Sequence, residues 1–123
     1  MRGTNVKRAV VVEDDDDIRG LLEIVLGQMG FDVVGAVTGE RGIDEVRDLR
    51  PELVTLDIGL PGVDGLEVLT RMREFHTGPV VVVSARGRTA DAERALAAGA
   101  DGYLVKPFRP RTLREDLERI IAE

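Results

Sequence analysis

The chain has no cysteine, which excludes disulfide staples, thiol nucleophiles and thiolate metal sites together and suits a reducing, cytoplasmic setting. Aromatic residues are scarce, at 3%, so the single tyrosine, Tyr103, stands out. Basic residues are in deficit: 17 Lys and Arg against 23 Asp and Glu give a formal net charge of -6 and a pI near 4.9. That deficit argues against direct nucleic-acid binding by this domain, because phosphate backbones are held mainly by clustered Lys and Arg. A cationic partner surface or a metal ion suits the charge better. No apolar run approaches the roughly 20 residues of a membrane span. The opening residues, MRGTNVKR, carry no long apolar stretch behind their basic side chains, so neither an export leader nor a membrane association is expected. Internal repeats, low-complexity tracts and interdomain linkers are also missing.

With 123 residues, 43% hydrophobic and 33% charged, the chain has the balance of a globular protein and the length of a single domain, residues 1–123, with a core of its own. The stretch Leu53 to Gly65, LVTLDIGLPGVDG, organises it. Leu53 to Leu56 read as a strand covered on both faces, and the run ends on Asp57. Gly59, Pro61, Gly62 and Gly65 follow, residues that stop a strand and allow a tight turn. An earlier strand, Ala9 to Val12, runs into Glu13 and Asp14. Ile18, Leu21, Leu22, Val25 and Met29 then mark an amphipathic helix closed by Gly30. Phe31 to Val37 predict a strand, Glu40 to Leu49 a helix broken by Pro51, and Leu66, Leu69 and Met72 a helix after Gly65. Pro79 to Val83 are a strand stopping at Ser84. Thr89 is expected to cap a helix carrying Ala92, Ala95 and Leu96 and ended by Gly99. Asp101 to Val105 make a fifth strand, and Leu113, Leu117, Ile120 and Ile121 a last helix.

Five strands alternating with five helices predict an α/β fold: a doubly wound five-stranded parallel sheet with helices on both faces, flavodoxin-like, in the order 2-1-3-4-5. Chain direction then reverses between the first and third strands. Glu13, Asp14 and Asp57 all fall at that switch point, where open α/β sheets bind ligands. Three uncompensated carboxylates would repel and raise one another's pKa values. A hard divalent cation resolves this, and Mg²⁺ prefers one or two carboxylates, a carbonyl and waters. Asp15, Asp16 and Asp17 need no such explanation, since acids favour the first turn of a helix by about 0.3–1 kcal/mol each. Ser84 and Lys106 end the fourth and fifth strands. A carboxylate, a metal site, a hydroxyl and a lysine facing one pocket is the equipment for binding a phosphoryl group, with Asp57 as nucleophile.

In VVEDD at 11–15, LDIGLPGVDG at 56–65, VVVSA at 81–85 and GADGYLVKPF at 99–108, the chain closely resembles the receiver domain of two-component response regulators, over nearly its whole length. The resemblance implies that Asp57 accepts a phosphoryl group from the phosphohistidine of a sensor histidine kinase or phosphotransfer protein. It implies Mg²⁺ on Asp14, Asp57 and the carbonyl of Gly59, with Glu13 close by. Lys106 and Ser84 would meet the phosphoryl oxygens, and the Lys106–Pro107 peptide would be cis. Tyr103 would be the switch aromatic, turning inward as Ser84 moves. The responsive surface would be the fourth helix, fifth strand and fifth helix, read by an output domain or partner outside this chain.

Two departures follow from the resemblance. Gly59 replaces a larger side chain common in the family, so Gly59 and Arg86 together are expected to set how readily water attacks the acyl phosphate. Gly102, Thr112 and Asp116 stand where receivers that dimerise through the responsive face usually carry charged partners, so any homodimer formed there is expected to lack the usual salt bridges. A haloacid-dehalogenase-type phosphatase would need a second Asp two residues after Asp57, where this chain has Gly59. A receiver reduced to docking would lack the acceptor, the acids or the lysine, and none is missing. His76 is expected to be a solvated or capping residue without a role, and Phe31, Phe75 and Phe108 to be packing.

Overall fold

Leu53–Asp57 and Val80–Ser84 are buried at every position, as uninterrupted apolar and β-branched runs require of strands covered on both faces. The computed structural model describes residues 7–60 and 64–122. In order these form β1 (Lys7–Val12), α1 (Asp16–Gln28), β2 (Phe31–Ala36), α2 (Gly39–Leu49), β3 (Leu53–Asp57), α3 (Gly65–Arg73), β4 (Val80–Ser84), α4 (Thr89–Ala97), β5 (Gly102–Val105) and α5 (Pro110–Ala122). Pro61 and Gly62, expected to end β3, lie outside the described residues, as does most of MRGTNVKR. All pairings are parallel, in the order β2-β1-β3-β4-β5, as the alternation predicts. Among the described residues no helix is long and apolar enough to cross a membrane.

Side chains alternate across the sheet with the two-residue period of a strand. Val10, Val12, Val54, Leu56, Val80 and Val82 pack against α2, α3 and α4 through Ile43, Val46, Leu69, Met72 and Ala95. Ala9, Val11, Leu53, Val81 and Val83 face α1 and α5 through Leu22, Leu26, Leu113 and Leu117. Register then levels the strand ends: Val12 lies beside Leu56, Asp57 beside Val83, and Ser84 beside Val105. Everything that follows these residues emerges on one edge.

Several local expectations are corrected. Thr89 does not cap α4. Arg88 holds that position and no side chain bonds there, whereas Asp15, Thr38 and Asp64 accept N–H bonds at the starts of α1, α2 and α3. In the first turn of α4 Asp91 is buried and pairs with Arg88 and Arg94 of the same segment. Leu96 faces outward, 49% exposed. His76 is buried at 5% exposure: its main-chain N–H donates to the Met72 carbonyl at 2.9 Å, and its ring lies against the loop at Gly78, where a Cβ would come 3.1 Å from Cε1. Burial, followed by the neighbouring Arg73, holds its pKa below the ordinary value. Phe31 and Phe108 pack on the α1/α5 core, but Phe75 is 39% exposed, its ring 5.1 Å from the Arg47 guanidinium, a cation–π contact joining α3 to α2. Asp101 precedes β5 rather than belonging to it, and its carboxylate accepts the Val80 N–H at 2.9 Å.

At this amino edge Arg73 closes the sheet. It donates to the carbonyls of Gly99 (2.9 and 2.7 Å), His76 (3.1 Å) and Gly78 (2.6 Å), and to Asp101 Oδ2 at 2.7 Å. Gly99, at φ +114°, gives the guanidinium stem its room, since a Cβ there would lie 3.1 Å from Arg73 Cγ.

Candidate functional site at the carboxyl edge of the sheet

Asp57 is buried at the end of β3 with both oxygens engaged. Oδ1 accepts the Gly59 N–H at 2.8 Å, the local bond by which an Asp turns the chain out of a strand. Oδ2 accepts from Lys106 Nζ at 3.0 Å, across 49 residues of sequence. Lys106 is aimed there by the end of the ladder: its N–H bonds the Ser84 carbonyl at 2.8 Å, and the following peptide to Pro107 is cis. The same ammonium lies 2.9 Å from Glu13 Oε1, an ion pair whose direction misses hydrogen-bond geometry and leaves that buried oxygen without a hydrogen bond. Glu13 Oε2 accepts the Asp15 N–H at 3.1 Å.

Electrostatics follow from the count of charges. Burial pushes the Glu13 carboxyl up to about 7, Lys106 opposing and the neighbouring Asp57 reinforcing the shift. For Lys106 burial favours the neutral amine, but the adjacent carboxylates of Glu13 and Asp57 prevail and its pKa is raised. Glu13, Asp14 and Asp57 each offer an oxygen, all within 4.8 Å of one another, with Asp14 exposed and the other two buried. One ammonium therefore faces two buried carboxylates with a third beside them, and Glu13 Oε1, though ion-paired, accepts no hydrogen bond. Hard oxygen donors with unspent negative charge fit a divalent cation such as Mg²⁺.

Ser84 and Tyr103 join the cluster indirectly. Ser84 Oγ accepts the Arg86 N–H at 3.0 Å, which leaves its own proton free to rotate toward an acceptor. The Tyr103 hydroxyl donates to the Arg86 carbonyl at 2.7 Å. Both hydroxyls thus meet on the main chain of Arg86. Gly59 stands directly over the acid: a Cβ there would lie 3.3 Å from Asp57 Oδ1. The structure brings Glu13, Asp14, Asp57, Gly59 and Lys106 together and sets Ser84 on the adjoining strand end, with Tyr103 reached through Arg86. Sequence reading missed Arg19, which donates to the Glu13 carbonyl at 3.1 Å. Nothing in its helical context distinguishes it from a solvated arginine.

A family model described as the response regulator receiver domain matches residues 9–118. The transcriptional regulatory protein AfsQ1 of Streptomyces coelicolor is 39% identical over 112 residues, which are 91% of this chain and 50% of that protein. Among solved structures, a CheY-like receiver domain protein from Methanospirillum hungatei superposes with a TM-score of 0.87 at 28% identity, covering 96% of this chain and 95% of that one. The BeF3-activated N-terminal receiver domain of RstA from Klebsiella pneumoniae gives 0.85 at 31% identity, covering 95% and 100%. The chain spans about half the length of the curated relatives it matches, which are named as regulators rather than enzymes.

Proposed function

The chain belongs to the response regulator receiver domain family of two-component signalling, and on that premise we propose that Asp57 is its phosphoacceptor. A carboxylate oxygen of Asp57 attacks the phosphorus of a phosphohistidine on a sensor histidine kinase or phosphotransfer protein. The P–N bond breaks, its electron pair returns to the imidazole nitrogen, and an acyl phosphate is left on Asp57. Asp14, Asp57 and the Gly59 carbonyl would hold Mg²⁺, with Glu13 beside them. When bound, the ion supplies charge neutralisation for the phosphoryl oxygens. Lys106 is already within bonding distance of Asp57 and serves as their second counter-charge. The single observation carrying this reading is that ammonium, shared by Glu13 and Asp57 with Asp14 in reach.

Once phosphate is present, Ser84 turns its hydroxyl to a phosphoryl oxygen, and Tyr103 follows through Arg86. The phosphate adds nearly two negative charges and recruits one to three charge-assisted hydrogen bonds. The altered face is α4, β5 and α5, and its reader is an output domain or partner outside this chain; a homodimer through that face would lack the usual salt bridges. Residues 1–123 act as one cytoplasmic receiver unit that binds neither nucleic acid nor membrane, and that catalyses only its own phosphorylation and dephosphorylation. The bare Gly59 and the long Arg86 set the lifetime of the acyl phosphate; Gly59→Met and Arg86→Ala leaving that lifetime unaltered would refute this. The test of the whole reading is incubation with Mg²⁺ and acetyl phosphate followed by intact mass. One phosphate adduct, absent from Asp57→Asn, is expected; sustained turnover of unrelated phosphoesters would make the protein a phosphatase instead.

A further inference from the structure

We propose that Arg19 is a positioning residue for the acidic half of the site: it fixes the corner between β1 and α1 so that Asp14 and Glu13 face Asp57, and thereby sets the affinity for a divalent cation. The inference rests on the reading of these acids as a cation site.

Main-chain tethers converge on Glu13. Its N–H donates to the Ala36 carbonyl at 2.9 Å, continuing the β1–β2 ladder. Its carbonyl is the first beyond the strand and receives Arg19 Nη1 at 3.1 Å. By contrast the carboxylate of Asp14, the next residue, makes no hydrogen bond or ion pair among the described residues and is exposed. Its direction is thus inherited from the peptide between Glu13 and Asp14, whose carbonyl Arg19 holds from the helix side while the Asp15 N–H holds the Glu13 carboxylate. The arginine is itself well placed to hold it. Nη2 is anchored on Asp16 at 2.6 Å, and the side chain is only 19% exposed although Asp16 is 86% exposed.

Gly35 supplies the path. A Cβ at Gly35 on β2 would come 3.0 Å from Arg19 Cδ and 2.8 Å from Glu23 Oε2. The nearest atom it would meet is Glu23 Oε2 and the next is Arg19 Cδ, so a methyl group there crowds both flexible side chains, Arg19 among them, rather than the strand. The missing side chain at Gly35 thus leaves room for the Arg19 stem beside Glu23.

The sign of the effect separates this role from simple electrostatics. Removing a positive charge beside a cation site should strengthen Mg²⁺ binding by Coulomb's law. Loss of a positioning contact should weaken it, by about tenfold for partners of metal ligands. Mg²⁺ is titrated calorimetrically, at fixed ionic strength, into the wild type, Arg19→Ala, Arg19→Lys, Gly35→Ala and the Arg19→Ala/Gly35→Ala pair. Each variant's fold is checked by thermal unfolding in chelator. The expected result is a dissociation constant raised about tenfold in Arg19→Ala and less in Arg19→Lys, which keeps one donor. Gly35→Ala should also raise it, and the double variant should be no worse than Arg19→Ala alone. Should Arg19→Ala fail to fold, Arg19→Lys and Gly35→Ala carry the same readout. Equal or tighter Mg²⁺ binding by the variants, or additive losses in the pair, would overturn the proposal while leaving the cation site intact. No saturable binding by the wild type would overturn the site itself and this inference with it.

Discussion

Each edge of the sheet is closed by one cation, and the two closures are built differently. At the amino edge every nitrogen of Arg73 donates, to three carbonyl groups and one carboxylate. At the carboxyl edge Lys106 faces two buried acids with a third nearby, and one buried oxygen stays without a hydrogen bond. The first arrangement is saturated and can only lose by change. The second carries negative charge in excess and gains when something positive, or something bearing its own cation, arrives. The same β4–β5 pair therefore has a structural end and a responsive end, although both look alike as ion pairs between distant residues.

The sharpest way to break that contrast is at the proposed acceptor: Asp57→Asn should abolish the phosphate adduct entirely by intact mass while the fold persists. Next, Arg73→Met should lower unfolding stability by roughly 1.5–3 kcal/mol, the range for lost charge-assisted hydrogen bonds, with Mg²⁺ affinity unchanged. Lys106→Met should do the converse, leaving a folded protein that binds Mg²⁺ several-fold more tightly and is phosphorylated more slowly. Denaturant titrations paired with Mg²⁺ calorimetry check both; a similar outcome for the two variants would erase the distinction.

Titration separates the edges more finely. His76 at the amino edge has a lowered pKa, so the unfolded chain binds more protons there. Its contribution is present above the unfolded value near 6.5 and is lost as pH falls toward the folded one. Glu13 is raised to about 7 from 4.5, so the stability it contributes is present below 4.5 and lost as pH rises through 7. The two slopes oppose each other, each bounded by about 1.4 kcal/mol per pH unit. In chelator, His76→Gln should expose a stability that declines from pH 4.5 to 7, and Glu13→Gln one that declines on acidification below 6.5. Urea midpoints across that range decide it. The smallest effect belongs to Asp101→Asn. Its carboxylate is 48% exposed, so solvent screening limits the loss to about 0.2–1 kcal/mol, with phosphorylation unaffected.

The sequence displayed most of this layout because period and punctuation are local. Apolar and β-branched runs ending in Glu13, Asp57 and Ser84 announce both the strand and what it delivers, and parallel register does the rest. What stayed hidden depends on partners distant along the chain. Arg73 reaches Gly99 and Asp101 across 26 and 28 residues, and His76 is buried by a loop whose path no periodicity records. Thr89 looked like a cap because its residue type favours that position, yet the backbone enters α4 one residue earlier. Phe75 is as apolar as Phe31, but only tertiary packing decides which of them an arginine covers.

Helix α4 is moored asymmetrically. Beyond its last turn the Gly99 carbonyl is gripped twice by Arg73, while its opening turn has no side chain bonded to its leading amides and its Asp91 pairs only with arginines of the same segment. Unwinding from the Thr89 end thus breaks no side-chain cap and no ion pair to another element among the described residues, whereas lifting the Ala97 end must first tear out a guanidinium. Remodelling of that surface is therefore expected to be greatest at the end nearest the acids and least beside His76.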